Sequence, residues 1–308
     1  YYIASRFLLP TSLVLLTISV DFRRILELGP KAIIMFLTGT LGIVIGGPIA
    51  IMIVALVSPE TVGGQGPDAV WRGMTTIAGS WIGGGANQAA MLETFQVGSD
   101  MFSVMVTIDI IVANLWMAVL LIMASRAKQL DEKIGADTRA IDDLRDTVEK
   151  FQKENSKIPT LPDLMILLAI GFGATGFAHF VADIVAPWIG ANAPALSDLS
   201  LDSKFFWMVV VATTVGLGLS FTRLRNMEGV GASKVGSAFI YILVASIGMK
   251  MNVMAIFEQF ELFIVGFIWM AIHATLLLTV SRIIKAPTFY MAVGSQANVG
   301  GAASAPVV

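Results

Sequence analysis

Gly79-Ser80-Trp81-Ile82-Gly83-Gly84-Gly85-Ala86-Asn87-Gln88-Ala89-Ala90-Met91 interrupts an apolar neighbourhood with glycines and two side-chain amides. A relative of it closes the chain: Gly294-Ser295-Gln296-Ala297-Asn298-Val299-Gly300-Gly301-Ala302-Ala303-Ser304-Ala305-Pro306. Both open on Gly-Ser, and both set an Asn near glycines and alanines. Two such breaks in corresponding places of two halves point to the binding site of a secondary transporter built from internal repeats.

The surrounding composition is that of a membrane protein. Of 308 residues, 56% are hydrophobic and 14% charged, and the mean hydropathy is +0.79. The apolar residues come in runs of roughly 20, the length that crosses a bilayer core of about 30 Å. A net charge of -2 gives no basic patch for nucleic acid. The absence of cysteine removes disulfides and thiolate metal sites. No metal-binding His-Glu-x-x-His and no phosphate-cradling Gly-Lys-Ser/Thr loop occurs, so neither an enzyme nor a bound cofactor is expected. The first residue is Tyr1, with no charged stretch ahead of a short apolar one, so no signal peptide is expected. Val308 falls inside the second glycine-rich element, and both ends are expected to continue in the working protein.

Apolar runs place spans at 3–20, 31–57, 101–123, 164–188, 205–221, 231–251 and 262–284. Gly42, Gly46 and Gly47 form a small-residue face that lets helices approach closely. The first break lies within 69–95, between two arms each too short to span alone. In the charged segment 125–159, Leu130, Ile134, Ile141, Leu144, Val148 and Phe151 recur at helical steps, as in an amphipathic surface helix. The expected organisation is a first repeat over 1–124, a linker over 125–160 and a second repeat over 161–308. By this alignment of halves the complete protein holds about ten spans and two broken elements.

Charge sets the orientation. If each break is a re-entrant hairpin, the Lys and Arg clusters at 21–31, 125–159, 223–225 and 282–285 all share one side. The loops at 58–68, 189–203 and 252–258 then take the other with almost no cation. This positive-inside pattern makes the linker cytoplasmic and the protein a multi-pass component of the inner membrane. The two hairpins then enter from opposite faces, as inverted repeats require. Broken helices that cross the bilayer are the alternative.

Freed backbone groups at membrane depth need protein or a polar cavity around them. The breaks should therefore meet in a wet interior. There Ser80, Gly83, Gly84, Gly85, Asn87, Gln88, Ser295, Gln296, Asn298, Gly300, Gly301 and Ser304 are the candidate solute contacts. Half-helix N-termini suit an anionic group, and unwound carbonyls suit Na+. Tight helix packing is the plainer role for the same glycines and serines. Ionisable groups inside spans are costly and usually functional. Asp109 is the candidate coupling carboxylate for Na+ or H+, with Asn114 about one and a half turns on as a further ion-coupling candidate; an interhelical hydrogen bond or a pair with a buried cation is the structural alternative for Asp109. His273, inside the helix before the second break, is an ion-coupling candidate that could carry protons or bind substrate, and a structural imidazole bonded to a neighbouring helix is its alternative. His179 and Asp183, four apart, read as an interfacial pair.

At Leu8-Leu9-Pro10, Gly79-Ser80-Trp81-Ile82-Gly83-Gly84, Asp109 and Gln296-Ala297-Asn298-Val299-Gly300-Gly301 the chain resembles the YjcL-like integral membrane proteins, domain of unknown function 819. The resemblance covers nearly all of the chain, and members run longer at both ends. It implies a carrier of the cation:proton antiporter and anion transporter type, with a plan similar to sodium-coupled citrate and glutamate symporters. It carries no settled substrate.

These readings converge on an all-α polytopic membrane protein, an inverted-repeat transporter with two glycine-rich re-entrant hairpins or broken helices. Its expected activity is secondary transport of a small anionic or zwitterionic organic solute, coupled to Na+ or H+. A cation/proton antiporter without organic substrate is the alternative, and a non-transporting protein whose linker recruits a partner is a third class. The lipid bilayer, the solute or ion, and a second copy in a homodimer are the expected partners.

Overall fold

The computed structural model describes residues 2–20, 29–138, 141, 158–249 and 259–301. Ser304 and most of the linker beyond Thr138 lie outside the described residues. The described residues form helices and turns with no strand among them. In order these are a π-helical turn Ala4–Leu8, α1 (Leu9–Ile18), α2 (Pro30–Ala55), α3 (Val70–Trp81), α4 (Gly85–Thr94), α5 (Ser99–Ser125) and α6 (Ala127–Ile134). There follow α7 (Leu161–Asn192), α8 (Lys204–Ser220), α9 (Ala232–Gly248), α10 (Glu261–Ile283) and α11 (Thr288–Val299).

Four of these helices, α2, α5, α7 and α10, are long and apolar enough to cross a membrane. The shortest of them, α10 with 23 residues, is about 35 Å long at 1.5 Å per residue. A fifth is added if α8 and the 3-10 turn Arg223–Val230, bent 98° from it, count as one span. The runs expected to span at 3–20 and 231–251 give shorter described helices, Ala4–Ile18 and α9.

The chain divides into two compact units that do not follow its halves. One holds α1, α7, α8 and α9. There α1 packs against the other three helices around Leu15, Ile18, Leu167 and Ala232. Glycine permits the close approach: a Cβ on Gly216 would stand 3.0 Å from Val14 Cα. Pro10 has no N–H for the Arg6 carbonyl one turn back, and His179 Nε2 donates to that carbonyl at 2.8 Å. Asp183, four residues on, forms an ion pair with Lys204 at 2.8 Å, and His179 acts on the same carboxylate electrostatically.

The other unit holds α2 to α6, α10 and α11, and with them both glycine-rich elements. Its most extensive packing is α2 on α10. Here the glycine face read in the sequence meets large rings: a Cβ on Gly47 would stand 2.9 Å from Trp269 Cζ2, and one on Gly42 3.0 Å from His273 Cα. The start of the charged segment is more than a surface helix. Asp131 of α6 is buried and accepts from Thr288 N (2.8 Å) and Thr288 Oγ1 (2.7 Å), capping α11 where Pro287 offers no side-chain acceptor.

Candidate functional site

The first break is a helical hairpin. Its arms, α3 and α4, have 12 and 10 residues, about 18 and 15 Å, so neither crosses a bilayer core of about 30 Å. They run antiparallel. Arg72 Nη1 near the start of α3 donates to the Phe95 carbonyl beyond the end of α4, and the Trp71 and Phe95 rings meet edge to face at 6.2 Å. Nearer the tip, a Cβ on Gly79 would stand 2.7 Å from the Asn87 carbonyl oxygen. Gly83 and Gly84 turn the chain with φ of 124° and 87°, a region that side chains oppose. Asn87 Nδ2 donates to the Ile82 carbonyl at 2.6 Å, filling an acceptor left open where α3 stops.

The second break starts where α11 ends, at Gly300 and Gly301. The two tips touch backbone to backbone: Gly83 N–H donates to the Asn298 carbonyl at 3.0 Å. A Cβ on Gly84 would stand 3.1 Å from the Gly300 oxygen, and one on Gly301 2.8 Å from the Gly83 carbonyl carbon. Only glycine admits this contact.

Each Gly-Ser serine is tied to an ionisable group on a long apolar helix. Ser80 Oγ donates to Asp109 Oδ2 at 2.6 Å, and Ser295 Oγ lies 2.9 Å from His273 Nε2. Asp109 of α5 also accepts from Trp81 Nε1 on Oδ1 (2.7 Å) and from Gln88 Nε2 on Oδ2 (3.0 Å). Both arms of the hairpin therefore hang on one carboxylate. His273 Nδ1 faces the Gly39 carbonyl at 3.0 Å, so this nitrogen carries the hydrogen. In the neutral ring Nε2 then accepts from Ser295, which itself accepts from Trp116 Nε1 at 2.8 Å. Asp109 and Trp116 are seven residues apart, two turns along one face of α5, so this helix reaches both breaks. Trp81 and Trp269 bring their rings to 5.0 Å between these networks.

The remaining candidates divide sharply. Asn298 is fully engaged: Nδ2 donates to the Phe36 (2.9 Å) and Gly294 (2.8 Å) carbonyls, and Oδ1 accepts from Thr40 at 2.7 Å. Gln296 is 1% exposed, and neither end of its amide has a partner among the described residues. Gly85 opens α4 at the first tip. Asn114 stands apart, exposed, donating to the Ile110 carbonyl of its own helix. Sequence reasoning missed Trp81, Trp116, Thr40 and Gly39. For the tryptophans a signal existed, because a buried indole N–H needs an acceptor and spans offer few.

This arrangement defines the class: a multi-pass helical membrane protein whose polar centre is built on two glycine-rich helix breaks. The chain belongs to the family described as protein of unknown function DUF819, which matches it over residues 1–308. No curated protein and no solved structure matches it.

Proposed function

We propose that this protein is a secondary active transporter that moves a small anionic or zwitterionic organic solute by alternating access. The observation that carries the reading is the meeting of the two tips, Gly83 N–H on the Asn298 carbonyl, inside one compact unit. Interrupted helices at membrane depth are tolerated where they line a binding cavity, and paired breaks are the pattern of such sites. The matching Gly-Ser attachments to Asp109 and His273 favour an inverted repeat with two re-entrant elements. Gln296 supports a ligand as well: among the described residues both ends of this buried amide are unpaired, at a cost of about 1–3 kcal/mol per group, which a solute offering donor and acceptor would recover. On this reading the unit with both breaks is the carrier part, the other is its scaffold, and the cation-rich loops and linker face the cytoplasm from the inner membrane.

The test is uptake of radiolabelled dicarboxylates and amino acids into liposomes containing the full-length protein, under imposed Na+ and pH gradients. Gradient-driven uptake of at least one solute, abolished by Gln296→Ala, is expected. Uptake of none under either gradient would sink the reading.

A cation/proton antiporter is the second reading, favoured by a cavity of about 570 Å³ lined by Glu60, Asp68 and Glu261. The Ser58 hydroxyl donates to Glu60 at 2.7 Å and, with a backbone hydrogen bond, holds its carboxyl below the ordinary value. This keeps Glu60 ionised at neutral pH. Proton release reported by a dye on adding Na+ or K+, with no organic solute present, would favour this alternative.

A further inference from the structure

The Asp109 carboxylate joins two arms that, among the described residues, no other charged group joins at the tip. Ser80 and Trp81 reach it from the end of α3, and Gln88 reaches it from the first turn of α4. It is 7% exposed, and no ion pair to it occurs among the described residues. We propose that Asp109 is a proton-operated clasp: a proton bound at Oδ2 loosens α4 from α3 and frees the first tip. Use of that proton for coupling rests on the carrier reading above, whereas the clasp itself does not.

The donor set distinguishes a proton from Na+. The Trp81 indole can only donate, and Gln88 presents its NH2 group, so two of the three partners turn hydrogens toward the carboxylate. A metal cation there would meet hydrogens where it needs lone pairs. A proton needs only one hydroxyl to rotate. It bonds to a lone pair of Oδ2, the new O–H donates to Ser80 Oγ, and the Ser80 hydrogen turns to the Thr76 carbonyl one turn back. Trp81 keeps its bond to Oδ1. Gln88 shares Oδ2 and loses its anionic acceptor, and bonds to an ionised group are about twice as strong as neutral ones. Protonation therefore leaves the first arm attached and weakens the hold on the second.

Other titratable groups stand on the elements packed against α5. They are Arg72 on α3, Asp68 in the turn Gly66–Asp68, Glu261, His273 and Arg282 on α10, Tyr290 on α11, and the charges of α6; Glu93 lies on α4. None of them hydrogen-bonds Asp109, and His273, the buried one of the span, holds Ser295 and Gly39 instead. The test must still separate His273 from Asp109.

The chain has no cysteine, so an introduced one reports alone. Ala86, 4% exposed at the start of α4, is the reporter as Ala86→Cys, and Gln65→Cys, at an exposed position in the loop between α2 and α3, normalises for the thiol's own pH dependence. Maleimide labelling of the full-length protein in liposomes is followed from pH 8 to pH 5, in Na+ and in K+. Normalised labelling of Ala86→Cys is expected to rise roughly tenfold as pH falls, the factor that 1.4 kcal/mol represents, and to be the same in both cations. Adding Asp109→Asn should give fast labelling with no pH response. Gln88→Met, which keeps the carboxylate and cuts the second arm, should give fast labelling at every pH and covers the case that Asp109→Asn does not fold. Labelling that follows Na+, that ignores pH, or that keeps its pH response in Asp109→Asn would overturn the proposal. A pH response with no transport of any solute would support the clasp while removing the carrier reading.

Discussion

Gly301 sits at φ 62°, and a Cβ there would press on the Gly83 backbone. Gly301→Ala therefore combines a conformational cost of about 1–2 kcal/mol with a clash against main chain that cannot swing aside. A fall in thermal stability together with loss of solute uptake is the expected result. Retained uptake would mean that the tips need not touch. Asp131 makes a prediction that charge patterning alone would not, since a carboxylate in a charged segment reads as solvated. Because it caps α11, Asp131→Ala should lower stability by about 1 kcal/mol, read as a drop in unfolding midpoint, and Asp131→Asn should recover part of it. Asp109 was legible at this scale, since an acid in the middle of an apolar run has few innocent explanations. Its partners were not. Nothing local says that Ser80, Trp81 and Gln88 turn inward together, because that depends on where the chain reverses.

Between elements, the decisive contacts are glycine against ring and hydroxyl against imidazole. Gly46 faces Trp269, where a Cβ would stand 2.6 Å from Cδ1, so Gly46→Leu should push α2 off α10 and cost about 3 kcal/mol or more. Chemical or thermal unfolding in detergent checks this, and an unchanged midpoint would show that the two helices separate freely. Ser295→Ala removes at once the acceptor of Trp116 N–H and the partner of His273 Nε2, leaving two buried groups unpaired. A loss of about 2–4 kcal/mol is expected by the same measurement. The pairing of His179 with the Arg6 carbonyl exists because Pro10 supplies no N–H. His179→Phe should therefore destabilise the natural chain and do less harm beside Pro10→Ala, with a coupling of roughly 1 kcal/mol in a double-mutant cycle. Additive effects would show that the histidine merely fills space.

For the molecule as a whole, each compact unit draws helices from both halves of the chain. The division into compact units thus differs from the division into two halves expected from the sequence. The glycine-rich elements are separated by about 200 residues, yet they fall in one unit and share a backbone hydrogen bond. If transport depends on that unit and not on a partner recruited by the charged segment, replacing residues 142–157 with a Gly/Ser stretch of equal length should leave gradient-driven uptake within about twofold of the natural protein. Loss of uptake with stability intact would point to the linker.

Composition and the order of residues fixed the membrane class, the long helices and the two breaks, because hydropathy over roughly 20 residues and the helix-breaking of glycine are local properties. The tertiary structure alone decided which amides are spent and which is free. Asn298 is consumed in bracing α2, Asn114 lies on an exposed face, and Gln296 is left buried without a partner among the described residues. These three side chains differ in role through what stands opposite them, and that is set by helices distant in the chain.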